Sequence, residues 1–258
     1  MRTYNFKGDI KMKKIIALLL VVVMAMTFVA CGSSKNDPSA KSKGVMTYEE
    51  YAATPENQFA NIEAYVQATQ SWWDNKITIY AQDPDGAYFL YNMVCPPDLA
   101  EKLVPGTKIL AKGTKSSWAG EVEIMEGTIQ IVEGPNWIAE PMDATALLGT
   151  EELITHQNKK VAFKGMTVEA STDADGNEAA FLYNWDGSGA EGSDSDLYFN
   201  ASINGNTYTF CVEYYLCGPD SQAYQAVQGL KVGDVIDMEG FLYWYEGAQP
   251  HITAVTAG

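Results

Sequence analysis

The stretch ITIYAQDPDGAYFLYNMVCPPDLAEKLVPGTKILAKG, residues 77–113, decides the fold because most of it recurs later in the chain. Ile77–Asp83 reads as a strand, Pro84-Asp85-Gly86 as a tight turn, and Ala87–Cys95 as a second strand. Cys95-Pro96-Pro97-Asp98 makes a corner, a short helical run follows, and Gly106 heads a third strand. The recurrence runs through Leu197–Ile203, the turn Asn204-Gly205, Thr207–Cys217, the corner Cys217-Gly218-Pro219-Asp220, a helical run and Gly233. Each copy is therefore a hairpin, a Cys-x-Pro-Asp corner, a helix and a return strand.

Working outward, Phe59–Gln67 is a leading strand in which Ile62, Ala64 and Val66 alternate with Asn61, Glu63 and Tyr65. Its counterpart is Lys160–Glu169. The offset between copies is 101 residues at Ala64 and Gly165 but 122 at Cys95 and Cys217, so the second copy carries a net insertion of 21 residues. The Asp-, Gly- and Ser-rich segment 171–196 is where it must lie. Gly106, Gly113 and Gly120 match Gly233, Gly240 and Gly247 at an offset of 127. Helices are expected over Pro97–Leu103 and Pro219–Leu230, with a short leading helix within Val45–Asn57. The last hairpins turn at Trp118-Ala119-Gly120 and Tyr245-Glu246-Gly247.

The order in each copy is three strands, a helix and two strands. It resembles the OB-fold, a five-stranded Greek-key barrel with a helix between its third and fourth strands. The resemblance implies an all-β chain of two tandem OB-like barrels, with Gly113 and Gly240 allowing the strand bends that close them. Domain 1 is placed at 47–134, a linker at 135–143 and domain 2 at 144–258.

The start of the chain reads as an address. Lys11, Lys13 and Lys14 precede an apolar run, Ile15–Ala30, of 16 residues, short of the ~20 needed to span a bilayer. Residues 1–30 thus read as a secretory signal peptide, with Met12 a typical signal start. Phe28-Val29-Ala30-Cys31 resembles the lipobox of bacterial lipoproteins, which implies that Cys31 is acylated, palmitate included, and becomes the first mature residue. The whole arrangement is similar to the uncharacterised surface lipoproteins of Gram-positive bacteria that contain OB repeats. Residues 31–46, polar and aperiodic, read as a flexible tether to the cell membrane.

Without residues 1–30 the chain keeps 12 basic and 32 acidic residues, a formal charge of −20. This balance argues against nucleic acid as a partner, because phosphate binding rests on cationic neutralisation. The only histidines, His156 and His251, lie far apart in the sequence, and no nucleophile elbow, phosphate loop or zinc spacing is present. A binding protein is therefore expected rather than an enzyme, with no cofactor and no metal. Cys211 and Cys217 would lie roughly 20 Å apart on one extended strand, beyond the ~7 Å reach of a disulfide. Cys95, Cys211 and Cys217 are read as small buried hydrophobes. Asp173–Glu178 departs from the calcium-loop pattern and reads as a solvated turn.

Aromatics carry the remaining signal. OB-folds bind ligands beside the loops joining strands one to two and four to five. In the first copy those loops hold Trp72, Trp73 and Trp118; in the second they hold Phe181, Tyr183, Trp185, Trp244 and Tyr245. Trp72, Trp73, Trp118, Trp185, Trp244 and Tyr245 are the candidate binding residues, as a stacking platform for a ring-shaped ligand. The alternative role for these rings is to cap the barrels or join them. The reading is a membrane-anchored, extracytoplasmic binding lipoprotein for a carbohydrate or cell-wall ligand. A protein–protein adaptor, a single-stranded nucleic-acid binder and a glycoside hydrolase are the alternatives.

Overall fold

A computed structural model describes residues 36–173 and 175–258; Cys31 and the signal segment lie outside them. Residues 36–258 belong to one compact unit that holds both repeats. The chain enters along the first barrel. Helix α1 (Tyr48–Ala53) begins at a capping box, in which the Thr47 side chain accepts from Glu50 N and the Glu50 carboxylate accepts from Thr47 N. Its Tyr51 enters the barrel core against Tyr88, with ring centroids 5.0 Å apart. Lys115 Nζ donates to the carbonyls of Tyr51, Ala52 and Thr54 and so satisfies the helix C-terminus.

The first barrel consists of β1 (Phe59–Thr69), β2 (Lys76–Gln82), β3 (Ala87–Val94), β4 (Lys108–Trp118) and β5 (Glu121–Ile131), closed in the order β1-β2-β3-β5-β4. Strand β1 serves two neighbours: Phe59–Tyr65 pair with β4, and Tyr65–Thr69 with β2, across a bulge at Gln67. The Gln67 side chain accepts from Ala139 N, which fixes the inter-repeat segment to the barrel. After a two-residue strand, β6 (Met142–Asp143), the second barrel uses β7 (Lys160–Glu169), β11 (Leu197–Ile203), β12 (Asn206–Val212), β13 (Val235–Phe241) and β14 (His251–Ala257). Pairings of β7 with β11 and β13, of β13 with β14, of β14 with β12 and of β12 with β11 repeat the first barrel's order. These are the two OB-like barrels that the repeat implied.

Gly113 and Gly240 sit where the fourth strand of each barrel bends. Register shifts fall between Lys112 and Thr114, and between Glu239 and Gly240. A Cβ at Gly113 would meet Met125 O at 2.6 Å, and one at Gly240 would meet His251 O at 2.1 Å. The cores follow from alternation: Ile62, Ile79, Leu90 and Ile109 fill the first, and Phe163, Phe199, Phe210 and Met238 the second.

Three expectations change. The helices shorten to α2 (Pro97–Ala100) and α3 (Gln222–Gln228), the latter starting only where Ser221 Oγ accepts from Tyr224 N. The insertion is not bare loop but holds β8 (Ser171–Thr172), β9 (Glu178–Ala179) and β10 (Leu182–Tyr183), with β10 extending the second sheet beside β11. The polar run read as a free tether is docked from Ala40 onward. Lys41 pairs with the fully buried Asp83 and donates to Glu63 O, while Lys108 Nζ reaches Ala40 O and the Glu63 carboxylate. Asp83 also accepts from Asp85 N, Gly86 N and Tyr88 OH, so this buried carboxylate is fully satisfied.

Candidate functional site

The two barrels meet through aromatic packing and reciprocal hydrogen bonds. Tyr80 stacks on Phe241 with centroids 4.4 Å apart, and Phe89 meets Tyr243 edge-on at 5.3 Å. Tyr80 OH shares a 2.7 Å hydrogen bond with His251 Nδ1, and the Tyr243 ring stacks on His251. Burial drives the His251 pKa down to about 3, so the imidazole is neutral. The hairpin turns also touch: Glu246 N donates to Ala119 O, and Gln157 bridges Gly120 O and Val122 N. Ser71 N donates to Tyr215 O on the other side. The interface is thus built chiefly from Tyr80, Phe89 and Phe241, which lie on strands; of the candidate loop tryptophans only Trp244 joins it, its N donating to Glu121 Oε2.

Beside this interface opens a cleft of about 1470 Å³. Its walls are the loops between first and second strands and between fourth and fifth strands of both barrels. Trp73 stands on a tight turn in which Trp73 and Lys76 exchange backbone hydrogen bonds across Asp74 and Asn75, both at positive φ. That geometry leaves its ring 80% exposed. Trp185 and Trp118 are 75% and 64% exposed, and Tyr245 is 46% exposed. Trp72 is held more closely, its Nε1 donating to Cys95 O at 2.8 Å. Five of the six candidate residues therefore converge on one cleft.

Trp244 does not join them, because adjacent residues of an extended turn point to opposite sides. Its ring is half-buried against the second core and packs over Gly120, in a separate small depression with Tyr208 and Pro250. Phe181 and Tyr183 likewise pack against the second core. The cleft also recruits residues the sequence reading passed over. Tyr91 and Glu213 each stand four residues before the repeated cysteine, at Cys95 and Cys217, and both line it. That equivalence was available in the sequence, although the residue types differ.

The cleft is acidic. Glu213 accepts from Tyr215 N, Leu216 N and Gln70 Nε2, yet burial lifts its pKa to about 7. Burial raises Asp196 and Glu123 as well. Cys95, Cys211 and Cys217 are buried free thiols, and burial raises all three pKa values, away from reactive thiolate character. Asp173 accepts from Asp175 N and Asn177 N in an exposed turn. Among the described residues no cluster of three or more His, Cys, Asp or Glu could hold a metal ion.

No protein-family profile and no curated protein sequence matches the chain. Solved structures with a related arrangement include one described as "Structural mimicry for functional antagonism", 11% identical, with a TM-score of 0.34 over 85% of this chain and 98% of that one. Another is the Ifi202 HINa domain in complex with a 20 bp double-stranded DNA, 12% identical, with a TM-score of 0.33 over 79% of this chain and 96% of that one. A third is a murine DNA-binding protein bound to double-stranded DNA, 10% identical, with a TM-score of 0.32 over 77% and 99% of the two chains. Two of these three structures are DNA complexes. The expectation that nucleic acid is not a partner rested on charge alone and does not stand, because a charge summed over the whole surface does not say which charges face a site.

Proposed function

We propose that this chain is a ligand-binding protein whose inter-barrel cleft takes a ring-bearing ligand, with planar or sugar faces stacked on its aromatic walls. One observation carries the reading: Trp73, Trp118, Trp185 and Tyr245 stay exposed around a single cleft although the interface beside them buries other rings. Aromatic platforms at the ligand-flanking loops of OB barrels suit sugars and bases alike. A carbohydrate or cell-wall fragment is the first reading. A single-stranded nucleic acid is the second, favoured by the position of the cleft at the oligonucleotide-binding end of both barrels. Stacking of a base on an aromatic ring contributes roughly 1–3 kcal/mol. Trp118→Ala should therefore weaken binding by about tenfold to a hundredfold with the thermal midpoint unchanged, read by fluorescence titration with glycan and oligothymidine panels. Unchanged affinity, or an unfolded first barrel, contradicts the reading.

The same proposal includes display outside the cytoplasm on a lipid at Cys31. It is supported by the basic start, the short apolar run and the Phe28-Val29-Ala30-Cys31 sequence. Cys31→Ala should leave an unprocessed precursor without palmitate; label that persists in this variant contradicts the anchor.

A further inference from the structure

Glu123 sits in the cleft in an unusual position. On β5 its neighbour Ile124 fills the barrel core, so Glu123 points outward, opposite Ser116 on β4 and Phe89 on β3. It is only 6% exposed and lines the cleft, yet its carboxylate has no hydrogen bond and no ion pair among the described residues. Aromatic rings stand beside it: Phe89, its partner on β3, stacks on Tyr91 and meets Tyr243 edge-on, and Tyr243 lies within electrostatic reach of Glu123. Asp194, Asp196, Glu213 and Glu246 also line the cleft, against Lys76 as its one permanent cation among the described residues. The neutral His251 supplies no charge. A carboxylate buried without a countercharge is costly, and burial is the first cause raising Glu123, Asp196 and Glu213 alike. Ring faces attract cations as well, by their quadrupole.

We infer that the cleft selects a positively charged ring-bearing ligand, an amine-bearing sugar or comparable ring ammonium, whose cationic group is received by Glu123 between Phe89, Tyr91 and Tyr243. This rests on the stacking reading and adds the ligand's charge to it. The probes are a glucosamine tetramer with free amines and its fully N-acetylated counterpart, which share ring faces and differ in charge. With the full chain, the free-amine tetramer should bind at least about tenfold more tightly, a difference of ~1.4 kcal/mol. The preference should shrink with added salt and disappear in Glu123→Gln. Asp194→Asn, on the exposed rim, should reduce it partially and serves as a second variant should Glu123→Gln fail to fold. Equal binding of both tetramers, with Trp118→Ala still weakening each, overturns the charge inference and leaves stacking intact. Binding of oligothymidine alone, insensitive to Glu123→Gln, does the same. Absence of binding by all three probes overturns both.

Discussion

At the scale of single residues, the interface holds a carboxylate whose chemistry is unfinished. Glu121 is fully buried; Oε2 accepts from Trp244 N at 3.0 Å, while Oε1 is buried with no hydrogen bond among the described residues. Burial raises the Glu121 pKa from 4.5 to about 8, so the folded protein keeps this proton at neutral pH. The unfolded chain releases it near 4.5 and the folded chain near 8. The contribution to stability is therefore full below 4.5 and is lost as pH rises towards 8. Glu121→Gln removes that loss, because an amide stays neutral at every pH. Roughly 1–3 kcal/mol, and more for a charge, attaches to a buried group left without partners. The variant should thus melt about 2–10 °C higher than the parent at pH 8, with little difference near pH 4.5. Equal midpoints at pH 8 would show that Glu121 is not held protonated. Nothing in the local sequence distinguishes Glu121 from the other acids of β5, because its burial comes from the second barrel, 123 residues away at Trp244.

At the scale of elements, the repeat was legible because strand alternation and glycine spacing are local properties. Ile62, Ala64 and Val66 face inward as their period of two required. Asn204 and Gly205, at φ 52° and 79°, form the tight hairpin turn that such a pair favours. The helix lengths were not legible, since Pro219 and the Glu213-anchored turn delay α3 until Ser221 can cap it. The fate of Lys41 was not legible either, as its partner Asp83 lies across the barrel surface. Gly240 and Gly247 separate backbone crowding from turn preference. Gly240→Ala forces a Cβ to 2.1 Å from His251 O, whereas Gly247→Ala meets nothing within 4 Å. Chemical denaturation should show Gly240→Ala destabilised by about 1–3 kcal/mol and Gly247→Ala within ~0.5 kcal/mol of the parent. Equal effects would mean that the bulge in β13 relaxes freely.

For the whole molecule, two barrels fused through Tyr80, Phe241 and His251 hold four loops around one cleft. Which rings would be exposed could not be read from the sequence, because Trp244 and Tyr245 are neighbours there and part only when the second core claims one of them. Composition located the acid but not its address: of 33 acidic residues, Glu123 faces the cleft buried and unpaired. A ligand that bridges this cleft must touch both barrels at once. Hydrogen exchange of the full chain, with and without a saturating tetramer of glucosamine or oligothymidine, tests this most directly. The account predicts slowed exchange in three segments together: 71–76, 116–123 and 243–249. Protection confined to the depression around Trp244 and Tyr208, or to the face of one barrel alone, would contradict it.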